Sequence, residues 1–165
     1  MKNIFYLLVV SFMFAFSNVT AQEIRTAKSF TKDCDVKVKT VTFKYENKYQ
    51  IFKRAKVNIP PMTERVRKYS ISVSEPTPTK DIFKKVFSSE RIKELTGETI
   101  GIHCICDVNG DVKSVEFFMK KAPNVSVEEL AILESYLLKY SFTLKGAKDD
   151  QPYYDIFVPC RFSQL

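Results

Sequence analysis

Apolar and polar residues alternate with a two-residue period through much of the chain, and between those stretches the period lengthens to that of a helix. Val36 and Val38 alternate with Lys37 and Lys39, and Val41, Phe43 and Tyr45 continue with the phase shifted by one residue, as at a β-bulge. Glu46-Asn47 is the expected turn, and Tyr49, Ile51, Lys53, Ala55, Val57 and Ile59 share one face of a return strand, so the pattern predicts two strands over 35–59. Pro60-Pro61 ends the second of them, because proline cannot donate to a ladder. Tyr69–Val73 is a short strand candidate, and Pro76-Thr77-Pro78 is the best internal boundary.

From Thr79 to about Leu95 the apolar members Ile82, Phe83, Val86, Phe87, Ile92 and Leu95 form a helical stripe, interrupted by Ser88-Ser89. Thr99–Cys106, Asp107-Val108-Asn109-Gly110 and Asp111–Met119 predict a strand, a turn and a returning strand, with Asn-Gly supporting positive φ. Ser126-Val127-Glu128-Glu129 is a capping box that opens a helix reaching about Tyr140. Tyr154, Ile156, Val158, Cys160 and Phe162 alternate in a last strand, where Pro159 argues for a sheet edge or for a ladder that fades there. The expected fold class is α+β: a small antiparallel sheet with two helices packed on one face, plus an N-terminal β-hairpin region.

The first 21 residues read differently. Lys2 precedes an apolar run from Ile4 to Phe16, and Val19-Thr20-Ala21 supplies small or short residues ahead of Gln22. This is the pattern of a secretory signal peptide cleaved after Ala21, with an uncleaved membrane anchor as the alternative. The run is shorter than the roughly 20 apolar residues a spanning helix needs. The expected division is 1–21 signal peptide, 22–76 basic β-hairpin region and 77–165 α+β domain, in a periplasmic or secreted protein.

Charge changes the picture only in the first third. The formal net charge is +7; residues 22–68 carry 13 basic and 5 acidic side chains, against 12 and 14 over 69–165. Lys37, Lys39, Lys44, Lys53, Arg54 and Lys56 are the expected basic surface, suited to an anionic partner surface. No nucleic-acid reader motif accompanies it.

The order helix, strand, strand, helix, strand from about Gly97 to Phe162 resembles the C-terminal domain of TonB-type energy transducers. The resemblance is carried by Gly97 before the first strand, Asp107-Val108-Asn109-Gly110-Asp111-Val112 at the turn, Pro123, and Lys139-Tyr140-Ser141-Phe142, similar to that family's basic-aromatic-x-aromatic run. Ile156, Val158 and Phe162 fall on its final strand. Ser88-Ser89-Glu90 stand where a Tyr-Pro pair is usual, Thr143-Leu144 replace a proline, and no long Pro-rich spacer occurs. The resemblance implies a binding mode in which the last strand accepts a peptide from an envelope protein or outer-membrane receptor by strand addition. Tyr153, Asp155, Phe157 and Arg161 would then form the partner-binding edge. It also places the last strand antiparallel beside Thr99–Cys106, which implies a Cys104–Cys160 disulfide; Cys34–Cys106 follows if the N-terminal segment folds back. Buried free thiols are the alternative, as Cys packs like a small apolar residue.

Catalytic chemistry has little support in the residues. His103 is the single histidine, and alternation sets it on the opposite strand face from Cys104 and Cys106. No G-x-S-x-G, H-E-x-x-H or phosphate-loop pattern occurs. Neither a metal nor another cofactor is expected. The expectation is an exported, non-enzymatic binding module of the cell envelope. Its alternatives are a TonB-like transducer or accessory on an uncleaved anchor, and a thiol-redox protein.

Overall fold

The computed structural model describes residues 30–57, 65–66, 72–73, 79–119, 124–145 and 152–165. The expected signal peptide and the 76/77 boundary lie outside these residues. Nine strands are described: β1 Cys34–Val38, β2 Val41–Glu46, β3 Ile51–Arg54, β4 Arg65–Val66, β5 Ser72–Val73, β6 Thr99–Asp107, β7 Val112–Phe118, β8 Leu144–Lys145 and β9 Tyr153–Arg161. Three helices accompany them: α1 Thr79–Val86, α2 Ser89–Glu94 and α3 Val127–Leu137. The main sheet has the order β1-β2-β3-β7-β6-β9-β4, and β5 pairs with β8 apart from it. The first six strands in that order are antiparallel neighbours; β4 joins β9 in parallel.

The architecture is α+β, as the periodicity predicts, with the helices on one face. Ile82, Phe83, Phe87, Leu130, Leu133 and Leu137 from that layer share one core with Val36, Phe43, Phe52, Ile102, Phe117 and Val158 from the sheet. The N-terminal strands belong to this same sheet, because β3 pairs with β7 through Phe52↔Phe117.

Three local readings are corrected. The phase shift after Val38 is a two-residue hairpin turn rather than a bulge: Val38 pairs with Val41, and Lys39 takes φ 52°. There are therefore three strands before residue 57. Phe52 and Arg54, not Ile51 and Lys53, face the helices, since Phe52 stands between Tyr45 and Phe117 in register. The stripe over 79–95 is two helices, because the Ser88 hydroxyl accepts from the Arg91 N–H at 3.2 Å and starts α2 afresh.

The capping box and the Asn-Gly turn are realised as expected. Ser126 caps α3 by accepting from Glu129 N–H at 3.0 Å, while Ser126 N–H donates to Glu129 at 2.7 Å. Arg91 then ties α2 to that cap, donating to Glu129 at 2.8 Å and to the Asn124 carbonyl at 2.7 Å. Gly110 has φ 85°, and a Cβ there would lie 1.9 Å from the Phe142 carbonyl oxygen. The two backbones approach so closely because Phe142 N–H donates to Gly110 O at 2.8 Å.

One ion pair crosses the layers. Arg54 on β3 donates from Nε and Nη2 to the two carboxylate oxygens of Glu134 on α3, at 2.9 and 2.7 Å. Glu134 is only 2% exposed. This contact holds the guanidinium above its ordinary pKa, chiefly through the hydrogen bonds.

Two outcomes test these contacts. Gly110→Ala combines a disfavoured φ with a backbone collision and is expected to cost on the order of 3 kcal/mol in denaturant unfolding. Arg54→Ala strands a buried carboxylate and should cost about 3–5 kcal/mol, whereas Arg54→Met with Glu134→Leu should recover most of that loss.

Candidate functional site

The strand alternation that sends Ile102, Cys104, Ile156 and Val158 to the helices sends His103, Glu116, Asp155 and Phe157 to the other face. Register brings these four together: His103 pairs with Glu116 on β7 and with Phe157 on β9, and Asp155 is two residues from Phe157. His103 Nδ1 lies 3.0 Å from Glu116 Oε2, and Nε2 lies 2.8 Å from Asp155 Oδ1. Only an imidazolium can donate to both; a neutral ring donates to one. The ring is 8% exposed and stacks under Phe157 with centroids 5.0 Å apart. Phe118 lies 5.2 Å from Phe157. Gly101 makes room for both phenyl rings, since a Cβ there would meet Phe118 Cβ at 3.3 Å and Phe157 Cε1 at 3.8 Å.

The charges continue across the sheet. Lys53 Nζ lies 3.7 Å from Glu116 and 3.1 Å from Glu46, and Lys44 lies 3.5 Å from Glu46. A row of polar side chains, Lys44, Glu46, Lys53, Glu116, His103 and Asp155, thus spans β2, β3, β7, β6 and β9. Part of the expected basic surface is paired with carboxylates. Lys44 and Lys53 are engaged with carboxylates on this face, and Arg54 is held by Glu134 on the helix side. Lys37, Lys39 and Lys56 are exposed, as expected.

The expected edge residues are placed by β9. Tyr153, Asp155, Phe157 and Arg161 do share the face opposite the core set. The β6–β9 ladder runs unbroken through Pro159, which has no N–H. Its backbone therefore faces the outer edge, and by alternation so do the backbones of Phe157 and Arg161. Among the described residues, the outer edge is paired only at Tyr153 and Tyr154, by β4. Phe157 is 60% exposed, so an apolar ring stands beside that edge. Asp155 differs from the others, being turned to His103.

A groove lies on the opposite side of the sheet, between the β1–β2 hairpin and α3. It encloses about 640 Å³ and is lined by Val38, Lys39, Val41, Phe43, Arg54 and Ile132 among others.

The expected disulfides are not formed; all four cysteines are free. Cys104 does lie on a strand antiparallel to that of Cys160, but it pairs with Ile156, and Cys160 pairs with Ile100. A four-residue offset along a strand is roughly 13 Å, beyond any disulfide. Cys34 on β1 is separated from Cys106 on β6 by β2, β3 and β7. Burial pushes Cys104 and Cys160 up to about 12 from the ordinary 9.0. Cys106 is raised as well, by burial first and then by the neighbouring Cys104 and Asp107. These are protonated packing groups rather than nucleophiles. Among the described residues, no group of three or more His, Cys, Asp or Glu is placed to hold a metal ion.

No family model matches the chain, and no curated protein matches it. Among solved structures, it is similar to a DUF5043 family protein from Bacteroides uniformis, with a TM-score of 0.57 and 15% sequence identity. The match covers 83% of this chain and 94% of that one. At this identity the likeness is one of fold.

Sequence reasoning set His103 on the face away from the thiols but did not see its carboxylate partners. Glu116 and Asp155 are 13 and 52 residues away, and only the register joins them. Alternation fixes the face of each residue within its own strand, but the strand order and register that join His103 to Glu116 and Asp155 carry no local signal.

The thiols supply a pH test. Unfolding exposes groups that ionise near 9, while the folded state keeps them protonated to about 12. Unfolding therefore releases protons in this window. Stability is complete below about pH 9 and falls as pH rises towards 12, by up to about 1.4 kcal/mol per pH unit for each thiol. Urea unfolding across that range should show the decline, and iodoacetamide at pH 8 should leave Cys104, Cys106 and Cys160 unmodified in the folded protein.

Proposed function

We propose that this chain is an exported, non-enzymatic binding protein of the cell envelope that takes up an extended segment of a partner protein along β9. The observation that carries this reading is the outer half of β9, where exposed Phe157 stands beside backbone groups that face outward. An added strand would satisfy those groups, and Phe157 offers a cross-strand partner for an aromatic or β-branched side chain. Such an exposed edge otherwise invites unwanted pairing. Pro159 limits that by withholding one donor. The export component rests on the apolar run from Ile4 to Phe16 and the Val19-Thr20-Ala21 site. The TonB-like order of elements from Gly97 to Phe162 supports the same binding mode without requiring energy transduction.

His103 has both ring nitrogens next to carboxylates, and three of the four thiols are buried and protonated. These arrangements support a structural role for the groups that a hydrolytic or redox mechanism would otherwise employ.

A photoreactive phenylalanine analogue at position 157 tests the proposal. In the envelope fraction of the native host it should give a discrete protein adduct. The same analogue at position 49, an exposed site in the turn between β2 and β3, should not. Phe157→Pro should abolish partner capture while changing stability by less than about 1.5 kcal/mol, as Pro159 already occupies the same parity. Equal labelling from both positions, or unaltered capture by Phe157→Pro, would sink the idea.

A further inference from the structure

The groove between the β1–β2 hairpin and α3 is separate from β9 and has its own chemistry. Its floor and walls are apolar: Val38, Val41 and Phe43 come from the hairpin, and Ala131 and Ile132 from α3. Leu130 and Leu133 on either side of Ile132 are fully buried in the core, while Ile132 is 44% exposed. The isoleucine thus presents its side chain to the groove instead of the interior. The volume of about 640 Å³ is in the range of small-ligand sites.

Two cations stand on the lining of this apolar surface. Arg54 is one of them, and its Nε and Nη2 are taken by Glu134. Its Nη1 has no hydrogen-bond partner among the described residues, and a third of the side chain is exposed. Lys39 stands at the hairpin tip and makes no ion pair among the described residues. Lys39 also holds φ 52°, a left-handed conformation that is strained for a residue with a Cβ. Gly or Asn would occupy that turn more cheaply, so the strain is a cost borne by a residue whose charge is its distinguishing property. The ionic groups on the lining are Lys37, Lys39, Arg54, Glu128 and Glu134, and Glu134 is already neutralised by Arg54.

We propose that this groove binds a free single-chain carboxylate amphiphile, with the alkyl chain on the floor formed by Val41, Phe43 and Ile132 and the head group held by Lys39 and the Nη1 edge of Arg54. The apolar wall provides affinity in proportion to the chain length it covers. The cations select against the uncharged chain, because a charge-assisted hydrogen bond is stronger than a neutral one. This site goes beyond the reading of β9 and stands or falls independently of it.

Dodecanoate, kept below its micellar concentration and titrated into the intact protein, is the probe. Calorimetry should give saturable one-to-one binding, and amide shifts should map to the β1–β2 hairpin and α3. Lys39→Gly removes the charge and relieves the left-handed strain. It should therefore melt at a higher temperature than the native protein and bind dodecanoate about tenfold more weakly. A purely structural lysine would not separate those two readouts. Ile132→Asp, at an exposed position, should weaken binding at least as much with little change in melting temperature. Dodecanol should bind about tenfold more weakly than dodecanoate. The proposal is overturned by the absence of saturable binding, by equal affinity in both variants, by equal affinity for dodecanol, or by shifts that map elsewhere.

Discussion

The nine-residue ladder between β6 and β9 decides what each face of the sheet contains. Ile100↔Cys160, Ile102↔Val158 and Cys104↔Ile156 are set on the helix side, and the intervening pair His103↔Phe157 on the other. Because side chains alternate, a one-residue slip of β9 would turn its apolar set outward and drive Asp155 into the apolar layer, and a slip of β6 would do the same to His103. β6 is the strand most sensitive to this. It has β9 on one side and β7 on the other, and residues of both parities along it are buried, from Ile102 to Cys106.

The two faces are held by different physics. On the helix side, burial of apolar side chains dominates, with Phe83, Phe87 and Phe162 in mutual edge and stacked contacts 5.2–5.5 Å apart. On the other side, carboxylates and lysines form a row across five strands together with His103, which is buried. Arg54 is the exception to this division. It carries a charge into the helix layer and needs Glu134 to do so, and the bidentate geometry locates α3 over β3 as apolar contact alone would not.

Much of this was legible in the residues. The α+β class, the Asn109-Gly110 turn, the Ser126 capping box and the alternation of β9 each rest on a local signal, and local signals survive in the fold. The misreadings share a cause. Lys39-Thr40 makes a hairpin turn without the Gly or Asn that advertises one, so the phase shift passed for a bulge. On β3 the alternating Tyr49, Ile51 and Val57 outweighed Phe52, which faces the core because its neighbours in space are Tyr45 and Phe117. The disulfide pairings failed by four residues of register. The grouping of His103 with Glu116 and Asp155 arises from the same register, and parity along one strand cannot supply it. Alternation does place Tyr153, Asp155, Phe157 and Arg161 on one face of β9, where Asp155 is turned to His103.

The antiparallel join of β9 to β6 has a mechanical meaning. Tension applied along the axis of β9 loads all nine pairs at once in shear. Tension applied across the strand opens them one after another from an end. The link from Asp155 through His103 to Glu116 passes such a load from β9 beyond β6 into β7, so the outer strand is braced against sliding by side chains as well as by backbone. Pulled lengthwise, β9 would stay joined to β6 far longer than if it were peeled sideways, and the direction of pull would set the lifetime of that join.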